Sequence, residues 1–408
     1  MRRAALVCLF LLLAACGGDT DSGSGPATDS APPVPPATEG SVETEPVPTE
    51  PPETDPPETE PAPALAPFEP LGPGPYGVGV TTVTITDEDR DRPLTVDLWF
   101  PVDEGAEGAA HRYTFVPGTY YESPGAITAT QADASDDGPF PLVAYSHGSG
   151  GIRYQHSNYT ETLASHGYIV AAPDHTGNTA VDRIAGGDTD TVQVAYDRPA
   201  DIVTVIDELT IPGNPETKGW PKRIDAESIA VTGHSFGGFT TLAVGAGFEN
   251  AAGSVAADER VDALIPLAPA STALTPDELA RITAPLLVMV GTNDQTTPAN
   301  PNVDVIWENV SSDPLYRADL VDAQHQTFSD ACAYIEFVSQ LPEPNELVFE
   351  LVEELGAEGC SPGDMPTERA QDLTNTLAVT FLDSVFRGGE MITEDNTEIP
   401  DDLLFETR

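Results

Sequence analysis

The sequence has 408 residues, of which 17 are basic and 67 acidic, and its formal net charge is −50 at pH 7. A chain this acidic repels phosphate backbones and anionic membrane surfaces, which excludes sequence-independent binding to nucleic acid. Apolar residues make up only 39% of the chain, and 40 of its 408 residues are proline. We therefore expect a folded domain diluted by a polar, proline-rich segment.

The first 16 residues have the pattern of a lipoprotein signal peptide. Met1-Arg2-Arg3 precedes a short apolar run that ends in Leu13-Ala14-Ala15-Cys16, too short to remain as a membrane-spanning helix. That ending resembles a bacterial lipobox, in which the cysteine becomes lipidated. We predict an exported protein held at the outer membrane, or at the outer face of the cell membrane, only through lipid on Cys16. The alternative is an ordinary signal peptide with an incidental cysteine.

The next segment has the composition of a tether. Residues 17–70 contain 12 carboxylates and 15 prolines but no lysine or arginine. Such a sequence cannot bury enough apolar surface to offset the entropy lost on ordering. We predict a disordered tether over 17–72, a catalytic domain over 73–395 and an acidic tail over 396–408.

Within the predicted domain, short apolar runs alternate with helical patterns. Alternation at period two predicts an N-terminal antiparallel strand pair over Thr81–Thr86 and Thr95–Phe100. Further strands are predicted at 141–145, 168–172, 229–232, 263–267, 286–290 and 316–321, and helices at 157–165, 199–209, 236–244 and 276–282. This order is typical of an α/β fold with a mostly parallel central sheet and helices on both faces. Ligands bind such sheets at the carboxyl ends of the strands.

One motif in the domain carries a nucleophile. Gly233-His234-Ser235-Phe236-Gly237 matches G-x-S-x-G. A predicted strand precedes it and a predicted helix follows it, as a nucleophile elbow requires. The flanking glycines permit a turn sharp enough to expose the Ser235 hydroxyl. The alternative is a glycine-rich turn with an idle serine.

A serine hydroxyl needs a base, and in this class of fold the chain order is serine, acid, histidine. Of seven histidines only His325 follows Ser235, so the order selects His325 as the base. Asp294 directly follows the strand predicted at 286–290 and is the favoured acid. Asp258 and Asp262 are alternatives one strand earlier, while Asp322 lies too close in sequence to His325 to reach its ring readily.

The tetrahedral oxyanion of such a reaction needs two preorganised N–H donors. The first is expected to be the amide of Phe236, next to the nucleophile. The second is expected from the loop Ser146-His147-Gly148-Ser149-Gly150-Gly151, with Ser149 as first choice and Gly150 as second. His147 is expected to hold this loop by a hydrogen bond.

No metal or cofactor site is indicated by the sequence, and we expect a monomer without cofactors. Of the four cysteines, Cys8 leaves with the signal peptide and Cys16 carries the lipid, so Cys332 and Cys360 remain. In an exported protein these two are predicted to form a disulfide. The alternative is a pair of buried free thiols.

Several motifs together resemble the platelet-activating factor acetylhydrolases. They also resemble bacterial proteins described as predicted dienelactone hydrolases and, more loosely, cutinase-like polyester hydrolases. The motifs are Leu94–Pro101, the Ser146–Gly151 loop, Ala171–His175, Gly233–Gly238 and His325–Phe328. The resemblance implies an α/β-hydrolase fold, metal-free serine esterase chemistry and the roles given above for Ser235, His325 and Ser149.

The sequence departs from these families at two points. The acetylhydrolases carry their acid after the strand that follows the nucleophile helix, where this chain reads Leu267-Ala268-Pro269. The acid is therefore expected at Asp294, as in the polyester and dienelactone enzymes. True dienelactone hydrolases use a cysteine nucleophile, so that similarity says little about substrate.

The sequence thus predicts an exported serine ester hydrolase for short-chain or phospholipid-type esters. Polyesters, and peptides or amides cleaved by the same three residues, are alternative substrates. The non-enzymatic alternative is an envelope-binding lipoprotein that uses a hydrolase fold as a scaffold.

Overall fold

A computed structural model describes residues 65–186, 190–342, 346–356 and 358–408. These described residues belong to one compact unit. The predicted signal peptide, Cys16 and most of the predicted tether lie outside the described residues. None of the helices in the described ranges is long and apolar enough to cross a membrane.

The strands begin early in the described chain and continue to its end. They are β1 (Ala66–Pro67), β2 (Gly77–Asp87), β3 (Arg92–Val102), β4 (Ala110–Val116), β5 (Thr119–Thr128), β6 (Phe140–Ser146), β7 (Ile169–Pro173), β8 (Ile224–His234), β9 (Phe248–Asn250), β10 (Gly253–Val255), β11 (Val261–Leu267), β12 (Leu286–Gly291), β13 (Leu315–Leu320), β14 (Thr397–Glu398) and β15 (Leu403–Thr407).

The helices lie between these strands. They are α1 (Ser157–Ser165), α2 (Ala180–Ile184), α3 (Thr191–Thr210), α4 (Phe236–Ala246), α5 (Pro276–Leu279), α6 (Ala299–Asn309), α7 (Ala331–Ser339), α8 (Glu346–Leu355) and α9 (Thr367–Phe386). Single turns of 3-10 helix occur at Gln131–Asp133, Trp220–Lys222, Ser271–Ala273 and His325–Phe328.

The main sheet has eleven strands in the order β15-β13-β12-β11-β8-β6-β7-β3-β2-β5-β4. Six neighbouring strands of this sheet run parallel to one another: β7, β6, β8, β11, β12 and β13. The predicted N-terminal antiparallel pair is β2 and β3, with Val83 opposite Val96. The predicted architecture is confirmed.

Two apolar layers cover the two faces of the sheet. Along β6, Val143 and Tyr145 belong to one layer, while Leu142 and Ala144 belong to the other. Side chains of a strand alternate between faces, so a strand covered on both sides is apolar at every position. This explains why the central strands are short continuous apolar runs in the sequence.

The ends of the domain differ from the prediction. Residues 396–408, predicted as an acidic tail, contain β15, which pairs antiparallel with β13. Leu403 and Phe405 are buried whereas Leu404 between them is 54% exposed, so a two-residue alternation is present among the acidic residues. At the other end, the Leu71 N–H donates to the Thr376 hydroxyl at 2.9 Å. The folded domain therefore begins before residue 73 and extends to the last residue.

Helix α3 also differs from its prediction. It was expected to begin at Pro199, because proline is favoured in the first turn of a helix. The helix begins at Thr191, and Asp190 accepts hydrogen bonds from the N–H groups of Val192 and Gln193 as its N-cap. Pro199 lies inside the helix, which places Arg198 and Asp201 in the core.

Candidate active site

Ser235 lies in a sharp turn between the end of β8 and the start of α4. Its φ is 60° and its ψ −117°, a strained conformation for a residue with a side chain. The turn depends on close approach at Gly237, where a Cβ atom would overlap the carbonyl oxygen of Ser146. The sequence G-x-S-x-G therefore folds into the predicted elbow, at the carboxyl ends of the parallel strands.

Ser235, His325 and Asp294 form a continuous line of hydrogen bonds. The distance from His325 Nε2 to Ser235 Oγ is 2.9 Å, and that from His325 Nδ1 to Asp294 Oδ2 is 2.8 Å. Because a carboxylate only accepts, Nδ1 carries the proton and Nε2 is left to accept from the serine hydroxyl. The geometry thus provides a hydroxyl, a base aimed at it and a buried carboxylate that orients the base.

The neighbours of the line fix both ends. Thr297 donates its N–H to Asp294 Oδ1 at 2.7 Å and its hydroxyl lies 2.9 Å from Oδ2. His234, the residue before the nucleophile, contacts the His325 carbonyl oxygen through Nε2 at 2.8 Å. Their imidazole rings lie 4.6 Å apart between centroids. Burial lowers the pKa of His234 well below its usual range, so a neutral ring packs against His325.

The alternative acids are occupied elsewhere. Asp262 lies near the amino end of β11 and accepts the Ile229 N–H at 3.1 Å, far from the carboxyl end where Ser235 sits. Asp258 binds the guanidinium of Arg260, and Asp322 accepts from the Asn293 side chain at 3.3 Å. The structure brings Asp294, and none of these three, to His325.

The predicted oxyanion loop lies beside the nucleophile. A Cβ atom at Gly148 would be 3.6 Å from the Ser235 Cβ atom. The Gly150 N–H donates to the Asn178 carbonyl oxygen at 3.1 Å, so the second-choice donor of the prediction is already used within the protein. Ser149 is the exposed residue of this loop, and Phe236 opens α4 directly after the nucleophile. Ser149 and Phe236 keep their predicted places beside the nucleophile, and their role as oxyanion donors stays a prediction.

Arg198 binds this loop from the protein interior, and the sequence analysis assigned it no role in the site. Its side chain is fully buried and donates to three side chains and two carbonyl groups. The acceptors are Ser146 Oγ at 3.0 Å, Asn178 Oδ1 at 2.7 Å, Thr240 Oγ1 at 3.3 Å, Gly148 O at 3.5 Å and His147 O. Burial lowers the pKa of Arg198 to about 9. The available signal was helical spacing, since residues 194, 198, 202 and 205 all lie on the buried face of α3.

A second line of hydrogen bonds supports the same loop. His175 Nε2 lies 2.8 Å from Ser146 Oγ, and its Nδ1 lies 2.9 Å from Asp201 Oδ2. All three side chains are fully buried, so this serine, histidine and aspartate have no access to a substrate. The Asp201 carboxylate also binds the guanidinium groups of Arg90 and Arg92. The network anchors the loop to α3 and to the β2–β3 hairpin.

His147 contacts the loop as expected. Its Nδ1 lies 2.7 Å from the Gly148 carbonyl oxygen, and its Nε2 accepts the His175 backbone N–H at 3.1 Å. Burial lowers the pKa of His147 well below its usual range, which keeps the ring neutral and able to accept this bond.

The predicted disulfide between Cys332 and Cys360 is confirmed. Cys332 lies in the first turn of α7, shortly after His325. The bond therefore joins the region of the histidine loop to a segment 28 residues further along the chain.

The fold agrees with comparisons to known proteins. A solved structure of a ferulic acid esterase from Streptomyces cinnamoneus is similar, with a TM-score of 0.61 and 24% sequence identity over 83% of this chain and 98% of that one. The chain has an α/β-hydrolase fold. Within this chain, residues 123–186 match the family described as platelet-activating factor acetylhydrolase, isoform II.

The matched segment includes β6, the loop with Ser149 that is predicted to donate to an oxyanion, α1 and β7. The match confirms the resemblance seen in the sequence and supports the predicted class of enzyme, a carboxylic ester hydrolase.

Proposed function

We propose that this α/β-hydrolase is a serine carboxylic ester hydrolase that works through an acyl-enzyme. One observation carries the proposal: Asp294, His325 and Ser235 lie in hydrogen-bond contact at 2.8 Å and 2.9 Å at the carboxyl edge of the sheet. The similarity of residues 123–186 to an acetylhydrolase family supports ester chemistry at this site.

The proposed reaction begins with transfer of the Ser235 proton to His325 Nε2. The serine oxygen attacks the ester carbonyl, and the Phe236 and Ser149 amides bind the oxyanion that forms. The imidazolium then gives its proton to the alcohol as the carbon–oxygen bond breaks. Water, deprotonated by His325, releases the acid from Ser235. The Asp294 carboxylate orients the imidazole and stabilises the imidazolium through its hydrogen bond to Nδ1.

We propose short-chain or phospholipid-type esters as substrates, because the matching family is described as an acetylhydrolase. Polyesters are an alternative within the same chemistry. A peptidase or amidase on the same three residues would turn over a peptide faster than a matched ester. The buried, complete contact between Asp294 and His325 argues against the non-enzymatic scaffold, which needs no such alignment.

The decisive experiment is labelling of the purified protein with a fluorophosphonate probe, followed by p-nitrophenyl esters of increasing acyl length. We expect the label on Ser235, hydrolysis that declines with chain length, and loss of both in Ser235→Ala. Ser254→Ala is a matched control, because that serine is exposed on β10 and has no part in the proposed site, so this variant should keep both the label and the hydrolysis. An unlabelled Ser235 in folded protein would favour the scaffold interpretation.

We further propose that the mature protein is exported and anchored by lipid on Cys16, and that it is a monomer. The basic start, the apolar run and the lipobox-like ending support the anchor. Detergent phase partitioning of the full chain against Cys16→Ser tests it: the wild type should enter the detergent phase and the variant should stay in water. Sedimentation of the variant gives the oligomeric state.

A further inference from the structure

The acid and the base of the proposed site lie on two separate loops. Asp294 follows β12 and His325 begins the 3-10 turn after β13. The two strands are parallel neighbours, yet each loop continues beyond the sheet, where strand pairing no longer fixes it. The 2.8 Å contact between the two side chains therefore depends on whatever holds these loops together outside the sheet.

Glu358 contacts both loops at once. Its Oε1 accepts the N–H groups of Gln295 at 2.5 Å and Thr296 at 3.2 Å, and its Oε2 accepts the Thr296 hydroxyl at 2.6 Å. Its backbone carbonyl accepts the Gln326 N–H at 2.7 Å. Glu358 thus bonds to the residue directly after Asp294 and to the residue directly after His325.

The neighbours of Glu358 hold it in place. Gly359 has a φ of +141°, and a Cβ atom there would come within 2.6 Å of the Thr327 nitrogen, so the segment lies flat against the histidine loop. Cys360 is bonded to Cys332, which lies in α7 shortly after that loop. A covalent bond and a close backbone contact therefore fix the position from which Glu358 reaches the acid loop.

We propose that residues 358–360 form a clip across the two loops, with Glu358 as a positioning residue for the contact between Asp294 and His325. The kinetic effect expected of this clip rests on the proposed function. The hydrogen bonds that form the clip are observed independently of that function. Glu358 touches neither Ser235 nor a substrate position; it acts through the acid loop. Misplacement of a catalytic group by about 1 Å can cost on the order of 100-fold in rate.

The first test compares Glu358→Ala with Glu358→Gln by steady-state hydrolysis of p-nitrophenyl acetate. We expect the alanine variant to lose about 10- to 100-fold in kcat with KM changed less than about twofold. The glutamine variant should keep most of the activity, because its amide oxygen still accepts the two N–H groups. Glu353→Ala is the control, an exposed glutamate on the preceding helix, and should match the wild type.

A double-mutant cycle separates positioning from general damage. In an Asp294→Asn background the contact that Glu358 aligns is already impaired, so adding Glu358→Ala should cost much less than it does alone. Equal fold losses in both backgrounds, or wild-type kcat in Glu358→Ala, would overturn the proposal.

Hydrogen exchange tests the clip without relying on activity. In Glu358→Ala, peptides covering 294–297 and 325–328 should exchange faster than in the wild type, while peptides from the central strands should not change. Unchanged exchange in both loops would overturn the clip even in an active enzyme. Conversely, faster exchange in a protein that hydrolyses no ester would support the clip and refute the proposed function.

Discussion

Asp330 gives a prediction whose sign and size follow from its surroundings. This carboxylate is 5% exposed. Its Oδ2 accepts from the Ser157 hydroxyl at 2.6 Å and the Asn158 N–H at 2.9 Å, and its Oδ1 accepts from Gln371 Nε2 at 2.9 Å. Burial nevertheless raises the pKa of Asp330 from 3.8 to about 6, because desolvation outweighs these bonds. The folded protein therefore binds the Asp330 proton more tightly than the unfolded chain does.

The linkage between protonation and folding gives the sign. Between about pH 4 and about pH 6 the folded state holds more protons at Asp330, so the free energy of unfolding falls as the pH rises. The rise of about two units in the pKa of Asp330 therefore lowers the free energy of unfolding by about 3 kcal/mol once the pH is above about 6. Asp330→Asn removes this ionisation. Its amide can still accept from Ser157 and Asn158, and a rotated Gln371 amide can accept from its NH₂ group.

We expect Asp330→Asn to be more stable than the wild type at about pH 8, by up to about 3 kcal/mol, with the difference disappearing toward about pH 4. Urea unfolding followed by tryptophan fluorescence, without reductant, measures both proteins across this range. A constant difference at all pH values would show that packing, not ionisation, separates the two proteins. A less stable variant at pH 8 would refute the reasoning.

Three further perturbations test the site and the charge. Asp294→Asn should lower kcat by about 10⁴-fold because the imidazole loses its orientation, whereas Asp262→Asn should leave kcat near wild type; a larger loss in the second would exclude Asp294 as the acid. Arg198→Lys should lower kcat by about tenfold or more, because one ammonium cannot reach five acceptors. The affinity of this variant for a boronic acid inhibitor should fall in parallel. Wild-type kcat and wild-type affinity would show that Arg198 does not support the loop. Activity should hold or rise toward molar NaCl, because residues 71–408 carry −40 of the net charge and salt screens their repulsion; a steep decline in salt would contradict this.

The sequence predicts those parts of the site that follow from chain order. The elbow at Ser235 and the selection of His325 need only a motif and a position in the chain. Asp294 is predicted from its place directly after a strand. That strand, β12, is the parallel neighbour of β13, so the residues that follow the two strands lie side by side and Asp294 reaches His325.

What the sequence could not predict depends on contacts between distant segments. Gly150 is unavailable as a donor only because the Asn178 carbonyl reaches it, and no local pattern shows this. Arg198 looks like part of a charged helix start until α3 is seen to begin at Thr191. Glu358 is one of many carboxylates in an acidic chain, and its partners lie 62 and 63 residues away. In each case the role is set by the tertiary neighbour rather than by residue type.

The position of β15 has a consequence for the exposed edges of the sheet. The outer edge of β13 is covered by Leu403–Thr407, and the backbone of the last residue, Arg408, exchanges two hydrogen bonds with Leu315. This edge belongs to the strand that leads to His325. Deletion of Leu403–Thr407 would therefore expose an unpaired strand edge, which favours pairing with a second chain and aggregation.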